Sequence, residues 1–271
     1  MTLLLHKVAA FVARDHTEAT SYRFAFAMRY VNALFTVLTF YFVSGLVEGA
    51  ATPHLAEYGG DYFAFVLVGI ALSGYLRTSL TNFSYLIRNA QMTGTIEALL
   101  VTQTELPTVV LASSVYSFVA TSTTVLLYLA VGALLFGVNL SGANFLAALL
   151  VLLLSIAAFS SIGIASASFI VVFKKGDAVL GAITQISMLL GGVYYPLSIL
   201  PVWLQGAAAL LPITYSLRAM RYALFRPEEM GSVALDVAIL AAFAAVALPS
   251  SVWLFGRAVR MAKSSGSLGH Y

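Results

Sequence analysis

The chain has 271 residues, of which 61% are hydrophobic and 9% charged, with a formal net charge of +3. A soluble domain carries about a quarter charged residues; this composition excludes a water-soluble globule and predicts an all-α integral membrane protein. The small, scattered positive charge excludes a nucleic-acid-binding role, and the lack of cysteine excludes a disulfide framework or a cysteine metal site.

In chain order, the first predicted element is residues 1–22. Leu4, Leu5, Val8, Phe11 and Val12 recur at helical spacing, with Lys7, Arg14 and Glu18 on another face. That pattern predicts an amphipathic helix lying in the membrane interface. Lys7 follows the leucines and His6 interrupts them, which argues against a signal peptide. Six runs are then long enough to span a hydrocarbon core of about 30 Å: 24–47, 60–83, 107–136, 143–173, 177–195 and 232–256. The third and fourth are long and are expected to tilt or protrude. The chain reads as one transmembrane domain, 1–271.

Between the second and third spans lies MTGTIEALLVTQ, residues 92–103, which reads as a short amphipathic helix within 88–105. Between the fifth and sixth spans, Pro196, Pro201, Pro212 and Pro227 divide 196–227 into apolar pieces too short to cross. These predict a re-entrant helical hairpin, with Pro201 and Pro212 in the first turns of its two helices. Pro249 is expected to kink the last span.

Orientation follows from Lys and Arg in the flanking loops. With the N-terminus inside, Lys7, Arg14, Arg23, Arg29, Arg77, Arg88, Lys174, Lys175, Arg257, Arg260 and Lys263 belong to cytoplasmic parts; only Arg218, Arg221 and Arg226 lie outside. Six spans put both termini in the cytoplasm of a cell-membrane protein. Charge is nearly absent from the span centres, which argues against an ion-coupled carrier and against a membrane enzyme built on paired acids or histidines. The histidines His6, His16, His54 and His270 are dispersed and predict no metal site.

The spans offer hydroxyls and small residues instead. Ser113, Ser117, Thr121 and Thr124 share a face of the third span, widened by Ser114 and Ser122. Such stripes serve close helix packing or line a path. Arg218 and Arg221 read as binders of lipid phosphates, as a guide for an anionic substrate or as ion-pair partners of Glu228 and Glu229.

Two stretches carry a family likeness: GTIEALLVTQ, Gly94 to Gln103, and GGVYYPLSILPVWLQGAAALLPITYSLRAMRYAL, Gly191 to Leu224. With six spans and a surface helix, the chain resembles the membrane (permease) subunit of ABC-2 type exporters. The resemblance implies a subunit that pairs with a second copy, a homodimer, and with two cytoplasmic P-loop ATPase subunits. Those ATPases would use ATP and Mg, while this chain binds no cofactor and is no enzyme. The sequence agrees on one point: none of its four lysines closes a G-x-x-x-x-G-K-[ST] loop.

The resemblance makes residues 92–103 a coupling helix, with Gly94 and Thr95 at the turn, Glu97 in the first turn, and Ile96, Leu99 and Leu100 as the apolar face. It places spans one, two and five along the path, which makes Asn32, Thr36, Thr39, Asn82 and Gln185 the path candidates. Tyr194, Tyr195 and Pro196 then stand at an outer gate or form an interfacial aromatic belt. The expected function is ATP-driven export, by alternating access, of a hydrophobic or amphipathic compound: a lipid, a drug-like molecule or a lipid-linked glycan. The alternative is a secondary carrier or channel without an ATPase partner.

Overall fold

The structure, a computed structural model, describes residues 2–92, 106–173 and 177–264. Among them every regular element is helical. Helix α1 spans Thr2–Ser21 and α2 Arg23–Ala51. The hydroxyls of Thr17, Thr20 and Ser21 donate to carbonyls four residues back. Such back-bonding weakens a helix end, and the chain bends at Tyr22. Helix α1 packs beside α4 (Leu106–Leu135). Arg14 Nη2 donates to Ser113 Oγ at 3.2 Å, and His16 meets Tyr116 edge-on.

After α2 the chain turns through residues 52–61. Gly59 and Gly60 have φ of +91° and +79°, a conformation that favours glycine. Asp61 then caps α3 (Tyr62–Met92), its Oδ1 accepting the Ala64 N–H at 3.2 Å, as short acidic side chains do at helix starts. Helix α3 is hydrophobic on every side over its first half, as a centrally buried helix must be. Phe65, Leu67, Leu80 and Phe83 are at most 2% exposed. Helices α2, α4 and α5 (Phe145–Phe173) surround it.

The closest crossings are made by glycine. A Cβ on Gly163 of α5 would stand 1.9 Å from the Ser79 carbonyl oxygen of α3. Helix α6 covers Asp177–Leu190 and ends at Gly191 and Gly192. It is the expected fifth span, yet its 14 residues reach only about 21 Å. The other five expected spans correspond to helices long and apolar enough to cross a membrane.

The proline-divided segment forms two short helices, α7 (Val202–Ala208) and α8 (Pro212–Phe225). Pro201 is the N-cap of α7 and Pro212 opens α8, so neither removes a needed donor. Thr214 Oγ1 donates to Ala208 O at 2.7 Å and Tyr215 Oη to Ala209 O at 2.6 Å, which ties the pair together. Helix α8 is almost wholly buried against α3 and α5, whereas Val202 and Trp203 of α7 are exposed. The last span begins as α9 (Ala234–Ala242) and ends as α10 (Leu248–Ser264). Between them Phe243–Ala247 is π-helical. The ring of Pro249 would clash with the carbonyl four residues earlier, and a wide turn there relieves the clash. The expected kink is thus a π-bulge.

Candidate functional site

A groove runs between α2, α3 and α4. Its larger cavity, about 370 Å³, is lined by Arg29, Asn32 and Thr36 of α2, Arg77 and Thr78 of α3, and Thr121, Thr124 and Tyr128 of α4. A second cavity of about 240 Å³ shares Arg29, Thr78 and Thr121 and adds Asn82, Tyr85 and Ser117. The floor is made of hydroxyl and amide cross-links between α3 and α4. Thr78 and Thr121 share a hydrogen bond of 2.9 Å. Asn82 Nδ2 donates to Ser114 Oγ at 3.0 Å and its Oδ1 accepts from Ser117 Oγ at 2.8 Å. Tyr75 and Ser122 meet at 2.7 Å on the far side. The hydroxyl stripe of the third span therefore serves both readings: it fastens two helices, and Thr121 and Thr124 also face open volume.

The groove gathers Asn32, Thr36 and Asn82 among the expected path residues. Thr39 stays on the exposed side of α2, donating to Phe35 O at 2.8 Å, and borders neither cavity. Gln185 lies exposed on α6, away from both. Two groups were missed by reasoning from span centres. Arg29 and Arg77 lie inside the apolar segments Arg23–Val47 and Tyr62–Leu86, as they do inside the expected spans, yet were counted only as orienting charge. The signal was available in α2, where Arg29, Asn32 and Thr36 recur at three and four, one face of a helix.

Tyr194 sits above this region, its ring stacked on Phe40 of α2 at 5.8 Å. Tyr195 Oη donates back to Leu189 O at 2.6 Å, and Pro196 is buried. The turn that carries them is clamped by Arg221 of α8, which is 3% exposed. Its guanidinium donates to the carbonyls of Gly192 (2.9 Å), Val193 (3.3 Å) and Phe65 (3.1 Å) and lies over the Phe65 ring. Gly69 of α3 makes room, since a Cβ there would meet Val193 O at 2.1 Å.

The expectation that Arg218 and Arg221 pair with Glu228 and Glu229 is overturned. Arg218 forms a bidentate pair with Asp236 of α9, Arg221 takes carbonyls, and Arg226 binds Glu229 at 2.9 Å. The helical register explains this: Arg218 and Asp236 face each other where α8 packs on α9, whereas Glu228 and Glu229 lie in the connecting 3₁₀ segment. A guide for anions is equally excluded for Arg221, whose side chain is enclosed.

Residues 52–61 close over the same end. Tyr222 Oη donates to Glu57 Oε1 at 2.9 Å, and Tyr58 packs on Phe65 and under Arg221. Burial, with the Glu57 carboxylate beside it, pushes the Tyr58 phenol up to about 12, since both disfavour the phenolate. The expected coupling residues Gly94, Thr95, Ile96, Glu97, Leu99 and Leu100 lie outside the described residues.

No curated protein matches the chain. Residues 6–225 match the model of the ABC-2 type transporter family. That stretch runs from α1 to the end of α8 and so contains the groove, the clamped turn and the hairpin. An all-helical bundle with five helices fit to cross a membrane, no strand among the described residues, and a family match over most of its length have one common reading: the chain belongs to the ABC-2 type transporter family, as a multi-pass membrane permease of an ABC transporter.

Proposed function

We propose that this permease is half of an ATP-driven exporter: two copies form the path, and two cytoplasmic P-loop ATPase subunits drive it. The observation that carries the reading is the family match over residues 6–225 together with a polar groove facing open volume between α2, α3 and α4. Alternating access would move a hydrophobic or amphipathic compound along that groove, with Asn32, Thr36 and Asn82 on its route and Tyr194, Tyr195 and Pro196 at its outer gate.

Pairing is supported by α2 and α6. Leu46 of α2 and Ile186 and Leu189 of α6 are exposed. A Cβ on Gly45 or Gly181 would meet nothing within 4 Å. Small residues and an amide on an open face suit close helix contact with a second copy. Gln185, exposed on α6 in the same helix as Gly181, is such an amide. Six crossings, the fifth extending beyond α6 to 177–195, place both termini in the cytoplasm of the cell membrane.

Coupling is assigned to residues 92–103, where Glu97 offers a carboxylate for charge-assisted hydrogen bonds from the ATPase. The test is isolation of the chain in mild detergent followed by reconstitution. An ATPase of the P-loop type should co-purify, and vesicles containing the complex should accumulate substrate only with ATP. Glu97→Lys should leave the chain in the membrane and lower transport and substrate-stimulated hydrolysis by about tenfold or more, on the order of the loss of one charged hydrogen bond. Uphill transport by the chain without any ATPase defeats the reading.

A further inference from the structure

Arg29 and Arg77 are the part of the groove that helix packing does not explain. Arg29 lies six residues inside the Arg23 end of its span, a depth of about 9 Å from the helical rise. Arg77 lies nine residues inside the Leu86 end of its own, a depth of about 14 Å by the same rise. The two helices are joined by a short turn and run antiparallel, so both arginines sit at similar depth from one membrane face. Guanidinium groups at that depth are costly and face a bundle interior, a partner or a ligand.

Neither has an acidic partner among the described residues. The ion pairs Arg14–Asp15, Arg218–Asp236 and Arg226–Glu229 leave both out, and no Asp or Glu lines either cavity. Arg29 is positioned by one bond, its Nε donating to Thr124 Oγ1 at 3.1 Å. That leaves its forked terminal nitrogens for another acceptor. Arg77 faces the same cavity with no carboxylate beside it. Two guanidiniums, hydroxyls able to donate, and no carboxylate make a site for an oxyanion.

The surroundings set the shape of the ligand. Phe35 and Phe42 of α2 are 62% and 68% exposed. Each stands three positions after a polar residue of the same helix, Asn32 and Thr39, so about 60° around the axis. A polar stripe with an open aromatic stripe beside it matches a molecule with an anionic head and an apolar tail.

We propose that Arg29 and Arg77 bind the oxyanion head, phosphate or carboxylate, of an anionic amphiphile whose tail lies along the Phe35 and Phe42 face of α2. The proposal rests on the export reading for its meaning in transport, whereas binding itself requires neither ATPase nor pumping.

The experiment titrates the purified full chain in maltoside micelles with phosphatidylglycerol carrying a fluorophore on its acyl chain, followed by anisotropy. Unlabelled dilauroylphosphatidylglycerol and laurate should displace the probe about tenfold better than dilauroylphosphatidylcholine, as expected for charge-assisted bonds. R29Q/R77Q should lose about tenfold or more in affinity, and R29K/R77K should retain most of it. Equal displacement by the zwitterionic lipid, or unchanged binding by R29Q/R77Q, overturns the proposal. Inorganic phosphate displacing the probe as well as the anionic lipid would assign a soluble anion and also overturns it.

Should R29Q/R77Q fail to fold, the cysteine-free sequence allows a second test. In T36C, an anionic methanethiosulfonate reagent should react several-fold more slowly when phosphatidylglycerol is present, and phosphatidylcholine should give no protection. Equal rates with both lipids would sink the assignment. A chain that passes these tests but purifies and pumps without an ATPase removes the export reading and leaves the site. A chain that exports with its ATPase but fails them does the reverse.

Discussion

Asp236 is fully buried, and Arg218 meets it with two hydrogen bonds while remaining partly exposed itself. Removing the arginine strands a buried carboxylate, a loss of about 3–5 kcal/mol when a buried pair is broken from one side. Arg218→Gln should therefore lower the thermal midpoint in detergent sharply, and R218Q/D236N should recover part of the loss. If the two single variants add without coupling in a double-mutant cycle, the pair has no such role. Tyr58 gives a pH-dependent counterpart. Its folded pKa of about 12 lies above the ordinary 10.0, so the neutral phenol is favoured by the fold. Its contribution is complete below the ordinary value and is lost as the pH rises toward about 12, because the unfolded chain releases that proton first. Stability measured by chemical denaturation in detergent should fall across that window, and Tyr58→Phe should flatten the fall.

Between helices, the decisive contacts are made by residues that contribute almost no side chain. Gly163 lets α5 touch the backbone of α3 at Ser79, and Gly69 lets the turn after α6 touch α3 at Val193. An added methyl meets backbone oxygen in both places, and backbone cannot move aside without shifting a helix. Gly163→Ala and Gly69→Ala should each cost about 1–3 kcal/mol, in the range of overpacked cores. Gly206→Ala, on an open face of α7, should be near neutral or slightly stabilising through helix propensity. Thermal unfolding of the three variants in one detergent checks the ranking, which fails if Gly206→Ala proves the most damaging. Sequence periodicity finds such glycines but cannot rank them, because the partner atom comes from a helix distant in sequence. The same limit applied to the arginines. Arg29 and Arg77 fall within the expected spans 24–47 and 60–83 but were counted only as cytoplasmic charge, although the α2 face of Arg29, Asn32 and Thr36 was already visible in the spacing.

At the scale of the whole molecule, one end of the bundle gathers the 52–61 turn, the α4–α5 connection and the hairpin. Glu57 binds Tyr222, and the Asn144 N–H donates to Ala223 O at 2.8 Å. The other end carries α1, held to α4 through Arg14 and Ser113. If both termini are cytoplasmic, these two ends face opposite compartments. Single cysteines in place of His54 and Ser232, both exposed, should react with an impermeant maleimide in intact cells, and one in place of His16 should react only after permeabilisation. The reverse pattern would invert the orientation and with it the side on which residues 92–103 can meet an ATPase.

Composition alone determined that the chain is a helical membrane protein. Its hydrophobic share of 61% is more than a monomer of this size can bury in water. The prolines determined where the hairpin helices begin, since a missing N–H and a fixed φ act locally. The tertiary structure decided which charges find one another. Arg218 chose Asp236 over Glu228 and Glu229, Arg221 chose three carbonyls, and Arg29 and Arg77 converged on one groove. Pairing depends on which helix faces come within about 3 Å across the fold, and a linear spacing carries no information about that distance.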